Sequence, residues 1–327
     1  MKKKSNIKYQ KSKIRNSHPE FSSGSVFGKG RFRTKFGMTI LLFFLLFISY
    51  KFFLSLRSSA FFQKKDRINI VVEEINSEFF SFGLDDGVNY YISFFPDLET
   101  VVPGGYGYYR LGGIAKLASL DKKPLIYTKT FSYATSSFID YYFYPSTSSD
   151  RIKVYFGTEK KDFSLPSFSL IFFGESNALF FDRVYVYLML LGKTKGQFKS
   201  IQHIPVEKKA DTTILSHQDF FSSLQGNFYK RTYRLEQKSV QLLYTKSYST
   251  AQAISQMLEG EGIRVADLSE SGNSGKNCEI VEESDSFSYT ALTLSSFFDC
   301  NLVRNTTDAY DIIVKLGDLE KEWEIEK

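Results

Sequence analysis

The chain has 327 residues, 43% of them hydrophobic, with 33 Phe and 21 Tyr against one Trp, and a formal net charge of +6. That length holds two globular domains of ordinary size plus additional segments. The positive charge is not spread over the chain. Residues 1–35 carry 11 Lys and Arg and one acid, Glu20, which is +10, so residues 36–327 sum to −4. A folded part that is mildly acidic excludes a nucleic-acid-binding domain of the basic type.

The basic tail has no hydrophobic period and many polar residues, which predicts disorder. It runs into FGMTILLFFLLFISYKFFLSL, residues 36–56, whose single charge is Lys51. At ~1.5 Å of rise per residue, a helix of this length matches the hydrocarbon thickness of a bilayer. Lys and Arg on its N-terminal side predict a cytoplasmic tail, a transmembrane anchor and an extracytoplasmic bulk, with the lipid bilayer as a partner and residues 57–67 as a linker. No nucleic-acid partner is expected.

Outside the span, INIVV (68–72) and VNYYISFF (88–95) are β-branched and aromatic, and the second is bounded by Asp85-Asp86-Gly87 and Pro96. ETVVPGGYG (99–107) reads as a strand ending in a Pro-Gly-Gly turn. GGIAKLASLDKK places Ile114, Leu117 and Ala118 at helical spacing. SSFIDYYFYP (136–145), FSLIFF (168–173) and RVYVYLMLL (183–191) read as further strand runs, and DFFSSLQGNFYK (219–230) as a helix. STSSD (146–150) and residues 192–217 read as exposed loops. Together 68–235 form one mixed α/β domain.

A second α/β domain begins with SVQLLY (239–244), a strand. Ser249 and Gln252 fit a capping box, Ala251, Ile254, Met257 and Leu258 form one apolar stripe, and Gly262 stands where a left-handed C-cap belongs. IRVADL (263–268) is the next strand, and SESGNSGKN (269–277) a mobile loop. CEIV (278–281), a helix carrying Phe287, Ala291, Leu294 and Phe298, then CNLV (300–303) and DIIVKL (311–316) repeat the strand–helix–strand pattern. A charged tail over 319–327, with a short helix, ends the chain.

Chemistry-bearing residues are sparse. His18, His203 and His217 have no metal-ligand spacing and no nucleophile partner. VPGGYGYYRLGG (102–113) lacks the Lys-Ser/Thr of a phosphate loop and reads as a turn. Neighbouring acids at Glu73-Glu74 and Asp85-Asp86 are of the type that binds a divalent cation or lines a solvated edge. No catalytic residue, cofactor site or metal site is assigned.

The order of elements resembles the LytR–CpsA–Psr family of envelope proteins. SVQLLYTKSYSTAQAISQMLEGEGIRVADL, FSYTALTLSSFFDCNLV and DAYDIIVKLG are similar to its C-terminal domain over about 237–318, with Tyr244-Thr245-Lys246-Ser247 where the family has Asn-Gly-Thr. ISFFPDLETVVPGGYGYYRLGGIAKL and SSFIDYYFYP resemble a degraded form of its central domain. The resemblance implies a role in attaching or holding cell-wall glycopolymer, with that polymer or other envelope proteins as partners. In members that are enzymes it implies Arg and Asp residues around a polyprenyl pyrophosphate and a divalent metal. Between Arg67 and Arg151 this chain has one arginine, Arg110, and Asp97 follows Pro96 where an arginine belongs. The expected role is therefore non-catalytic binding or scaffolding. The alternative is a phosphotransferase in which Arg110, Asp97, Asp85 and Asp86 converge on one pocket.

Cys278 and Cys300 are the only cysteines. They open two strand runs separated by one helix. If those strands are adjacent and parallel, both cysteines lie at one end of the sheet about 4.8 Å apart, which predicts a disulfide.

Overall fold

The computed structural model describes residues 33–63, 65–146, 152–159, 163–209, 211–272 and 277–325. The basic tail up to residue 32, and most of STSSD and of the 269–277 connection, lie outside the described residues. Two compact units result, one up to Phe52 and one from Phe53 onward.

Helix α1 (Arg33–Arg57) contains Thr39–Arg57, which is long and apolar enough to cross a membrane and has none of its length buried in protein. At ~1.5 Å per residue its 25 residues reach about 37 Å.

In the unit from Phe53, β1 (Arg67–Glu73), β2 (Ser77–Gly83) and β3 (Asn89–Phe94) form an antiparallel meander. A hairpin follows, β4 (Leu98–Val102) and β5 (Gly107–Arg110), turned by Gly104 and Gly105 at positive φ. Next come helices α2 (Ile114–Leu120) and α3 (Leu125–Thr135), strand β6 (Tyr141–Phe143), and helices α4 (Phe168–Phe173) and α5 (Phe180–Leu190). Strands β7 (Phe198–Ser200), β8 (Val206–Lys209) and β9 (Thr212–Leu215), then helices α6 (His217–Leu224) and α7 (Arg231–Glu236), complete this part.

Its main sheet runs β6-β1-β2-β3-β7, and a second runs β5-β4-β9-β8; both mix parallel and antiparallel pairs. The main sheet is covered on both faces. Val71, Phe79, Ile92 and Phe94 point into a core with α2, α3 and α6, while Ile70, Val72, Phe80, Phe82 and Tyr91 point into another with α4 and α5. Double coverage explains why SEFFSFG shows no polar alternation and carries no strand signal of its own.

Two expected strands are helices. FSLIFF is α4, started by Ser167, whose hydroxyl accepts the Leu170 N–H; RVYVYLMLL lies in and just beyond α5, started by Asp182, whose Oδ2 accepts the Leu179 N–H. Short all-apolar runs do not distinguish strand from helix by periodicity, and here tertiary contacts decide. Residues 192–217, expected as loop, supply β7, β8 and β9.

The C-terminal part contains β10 (Ser239–Tyr244), α8 (Tyr248–Glu261), β11 (Arg264–Glu270), β12 (Glu279–Glu282), α9 (Tyr289–Phe298), β13 (Asn301–Arg304), β14 (Ile312–Lys315) and α10 (Leu319–Glu322). Its sheet order is β11-β10-β14-β12-β13. Gly262 caps α8 at φ 96°. The N-cap is Ser247, not Ser249: its hydroxyl accepts the Thr250 N–H at 3.2 Å, and the Glu320 carboxylate takes the N–H groups of Thr245, Lys246 and Ser247. The segment read as a charged tail packs Leu319 and Trp323 into the core. Strands β12 and β13 pair in parallel, and Cys278 and Cys300 just before them are disulfide-bonded with Cα atoms 4.9 Å apart.

The seam between the two sheet systems is close-packed. Val101, Tyr133 and Ala253 touch across it, and a Cβ on Gly260 would stand 1.8 Å from the Ser136 carbonyl oxygen.

Candidate functional site

The four residues singled out for ligand binding fall into two places. Asp85 and Asp86 occupy the β2–β3 turn, where Asp86 Oδ2 pairs with Arg67 at 2.7 Å and Asp85 Oδ2 with Arg231 at 3.2 Å. Asp97 and Arg110 meet beyond the opposite end of β3, their charged atoms 3.7 Å apart, with Glu99 also 3.7 Å from the guanidinium. A six-residue strand is roughly 20 Å long, so the four do not converge on one ligand.

The arginines of this part are engaged within the fold. Arg67 is 3% exposed and donates to Ser81, Val88 and Asp86. Arg183 donates to the carbonyls of Ile171, Gly174 and Ala178. Arg110 lies between Asp97 and Glu99 with Phe156 across its face, and Asp97 Oδ2 also accepts the Gly157 N–H at 3.0 Å. A pyrophosphate clamp needs guanidinium groups whose donors are turned to the ligand. The donors of Arg67 and Arg183 are turned to the protein, and Arg110, 46% exposed, stands between two carboxylates at 3.7 Å.

Buried ionisable groups elsewhere hold the fold together. Glu73 lies at the end of β1 with its carboxyl pushed up to about 8 by burial, offset in part by the Tyr127 hydroxyl and the Ala115 N–H. Lys230 contacts Asp140 and Glu261, each at 3.3 Å, and Lys65 reaches Asp140 at 2.9 Å. Burial pushes Asp140 up, but Lys230 and Lys65 outweigh it and hold the group below the ordinary carboxylate range; Glu261 is raised to about 7 by burial despite Lys230. This cluster joins the start of β6, the α6–α7 connection and the end of α8. It is a joint, enclosed from solvent. Nothing around Lys230 in the sequence marks it.

Several lysines gather at a pocket of about 590 Å³ between the β4–β5 turn, the α2–α3 corner and α10. Lys122, Lys123, Lys129 and Lys321 line it with Tyr106, Leu125 and Glu322. Lys129 is held by Glu322 at 2.9 Å and lies over the Trp323 ring, and Tyr106 donates to Asp121. Lys122, Lys123 and Lys321 are exposed, with no ion-pair partner among the described residues. The pocket therefore presents exposed ammonium groups over an aromatic and aliphatic wall, suited to a diffuse anion rather than a fixed one. Sequence reasoning passes over it because Lys122 and Lys123 are a short surface pair and Lys321 is 198 positions further on; no local pattern links them.

No family model matches the chain, and no curated protein matches it. Among solved structures it is similar to the LytR-CPS2A-psr family protein YwtF (TagT) with bound octaprenyl pyrophosphate lipid, at 16% identity over 53% of this chain and 95% of that one, TM-score 0.33. It is also similar to B. subtilis TagT, at 12% identity over 51% of this chain and 92% of that one, TM-score 0.33. A transcriptional regulator from Enterococcus faecalis is similar at 9% identity over 62% of this chain and 89% of that one, TM-score 0.30.

Proposed function

We propose that this chain is a membrane-anchored, extracytoplasmic envelope protein that holds an anionic cell-wall glycopolymer without turning it over. The likeness of 237–318 to the LytR C-terminal domain and the apolar span Thr39–Arg57 support the compartment. The observation that carries the binding is the lysine pocket: three exposed ammonium groups, without an ion-pair partner among the described residues, around Tyr106 and Leu125 in a volume of about 590 Å³. Lysines of this kind attract a polyanion through long-range charge, and the aromatic ring offers a face to a sugar. The inward-turned Arg67 and Arg183, and Arg110 held between two carboxylates, support binding over phosphoryl transfer.

The test uses the full chain in lipid nanodiscs, purified wall glycopolymer bearing phosphate groups, and a polyprenyl-linked precursor. Saturable binding is expected that weakens as salt rises, and that falls at least tenfold in the Lys122→Glu/Lys123→Glu/Lys321→Glu variant, with no release of polyprenyl phosphate. Undiminished binding by the variant overturns the site. Transfer of polymer from the precursor overturns the non-catalytic reading in favour of a phosphotransferase.

A further inference from the structure

Helix α5 is built inside out. Its only charged residues, Asp182 and Arg183, turn toward the protein: Asp182 is 6% exposed and accepts the Ala60 and Leu179 N–H groups at 2.8 and 3.2 Å, and Arg183 is spent on three carbonyls. Buried Asp182, Val186 and Leu190 recur every four residues and mark the inner face. At 100° per residue the opposite face carries Phe180, Val184, Leu188 and Leu191, with Phe180 62%, Leu188 52% and Leu191 61% exposed. Phe173, at the end of the neighbouring α4, is 71% exposed. A helix that keeps its charges inside and presents apolar side chains outside has lost the ordinary arrangement for water, and exposed apolar surface of this kind marks an interaction site.

The covalent chain identifies what covers it. Arg57 ends the apolar helix, and Ala60, three residues later, is bonded to Asp182 on the first turn of α5. The next ring, Phe61, packs edge-on against Tyr185 of the same helix at 4.9 Å, and Phe62 is 62% exposed beside it. Three residues of fully extended chain reach at most about 11 Å. If Thr39–Arg57 crosses the bilayer, the start of α5 is held within that reach of the membrane surface.

We propose that the outer face of α5, with Phe62 and Phe173, is a membrane-contacting surface that inserts into the headgroup–acyl boundary of the bilayer. It acts as a second, non-covalent attachment beside the span and limits how far the folded part tilts away from the lipid. An interfacial helix binds in this way by burying apolar side chains a few ångströms below the headgroups. The proposal rests on the membrane-anchor reading, not on the polymer pocket.

The test is the depth of nitroxide labels in the full chain reconstituted in phosphatidylcholine–phosphatidylglycerol nanodiscs. Single cysteines replace Leu188, Phe180, Ile48 or Lys208; the native cysteines are engaged in their disulfide. Circular dichroism confirms folding of each, and Phe180 and Leu188 serve as independent reporters of the face. Labels at Leu188, Phe180 and Ile48 are expected to collide several-fold more with oxygen than with a water-soluble nickel chelate, and the label at Lys208 on exposed β8 the reverse. Ile48 in lipid with Leu188 and Phe180 in water overturns the inference while the anchor stands. Ile48 in water removes the anchor and the inference together. Leu188 and Phe180 shielded from both reagents means a protein covers the face, which also overturns it.

Discussion

Glu320 and Ser247 are 73 residues apart in sequence, and the Glu320 carboxylate accepts the Ser247 backbone N–H at 3.0 Å. The same carboxylate takes the N–H of Lys246 at 2.8 Å and the N–H and hydroxyl of Thr245. Glu236 does the same for α9, accepting the N–H groups of Tyr289 and Thr290, each at 2.8 Å. Helices α8 and α9 thus both begin on a carboxylate brought from elsewhere in the chain. A negative charge at a helix N-terminus satisfies free N–H groups and complements the helix dipole. In the first strand-to-helix connection, these donors are occupied by the protein itself.

Glu320→Ala should therefore destabilise the protein by about 2–4 kcal/mol, since several part-buried donors lose a charge-assisted partner at once. Glu320→Gln should lose less, because an amide oxygen still accepts. Urea unfolding followed by circular dichroism measures both. Equal stability of wild type and Glu320→Ala contradicts the cap.

Reduction of Cys278–Cys300, whose sequence separation is 22, should lower stability by roughly 3 kcal/mol in the chain-entropy account. Unfolding midpoints with and without dithiothreitol test this. The Cys278→Ser/Cys300→Ser variant should match the reduced protein and be insensitive to reductant.

Glu73 gives a pH dependence of defined sign. Its folded carboxyl titrates near 8 against 4.5 in the unfolded chain, because burial disfavours the charge. The folded state therefore binds more protons across that window, and stability from this group is complete below pH 4.5 and declines as pH rises to 8. Glu261, raised by burial to about 7, acts in the same direction, while His217, lowered by burial to about 4, loses stability as pH falls from 6.5. Glu73→Gln removes one contribution only. Relative to wild type, its stability should rise between pH 4.5 and 8 by up to a few kcal/mol and level off above. A difference that does not vary with pH is the contrary result.

Gly260→Ala tests the seam. The added methyl would meet the Ser136 carbonyl oxygen at 1.8 Å, a backbone atom that cannot rotate away. The cost should be 1–3 kcal/mol or more by the usual scale of overpacking, and thermal unfolding reads it. A second Ala at the open Gly196, where a Cβ meets nothing within 4 Å, should change little.

Sequence by itself determined the features that depend on neighbours along the chain. The apolar run 39–57, broken only by Lys51 before its terminal Arg57, fixes α1, and Ala251, Ile254, Met257 and Leu258 with Gly262 fix α8 and its end, because helical periodicity and left-handed caps are local. Tertiary structure decided the rest. It made helices of 168–173 and 180–190 and a strand of 77–83, because a segment without a polar face does not reveal its period, whether it is buried on both sides like 77–83 or apolar on its exposed side like 180–190. It brought Lys321 to Lys122 and Glu320 to Ser247, and it set Asp85 and Asp86 at the opposite end of β3 from Asp97 and Arg110. It also turned Asp182 and Arg183 inward so that α5 shows its apolar side. Which residues share a pocket or a face depends on strand order and chain reversal, and neither is written in the spacing of any single segment.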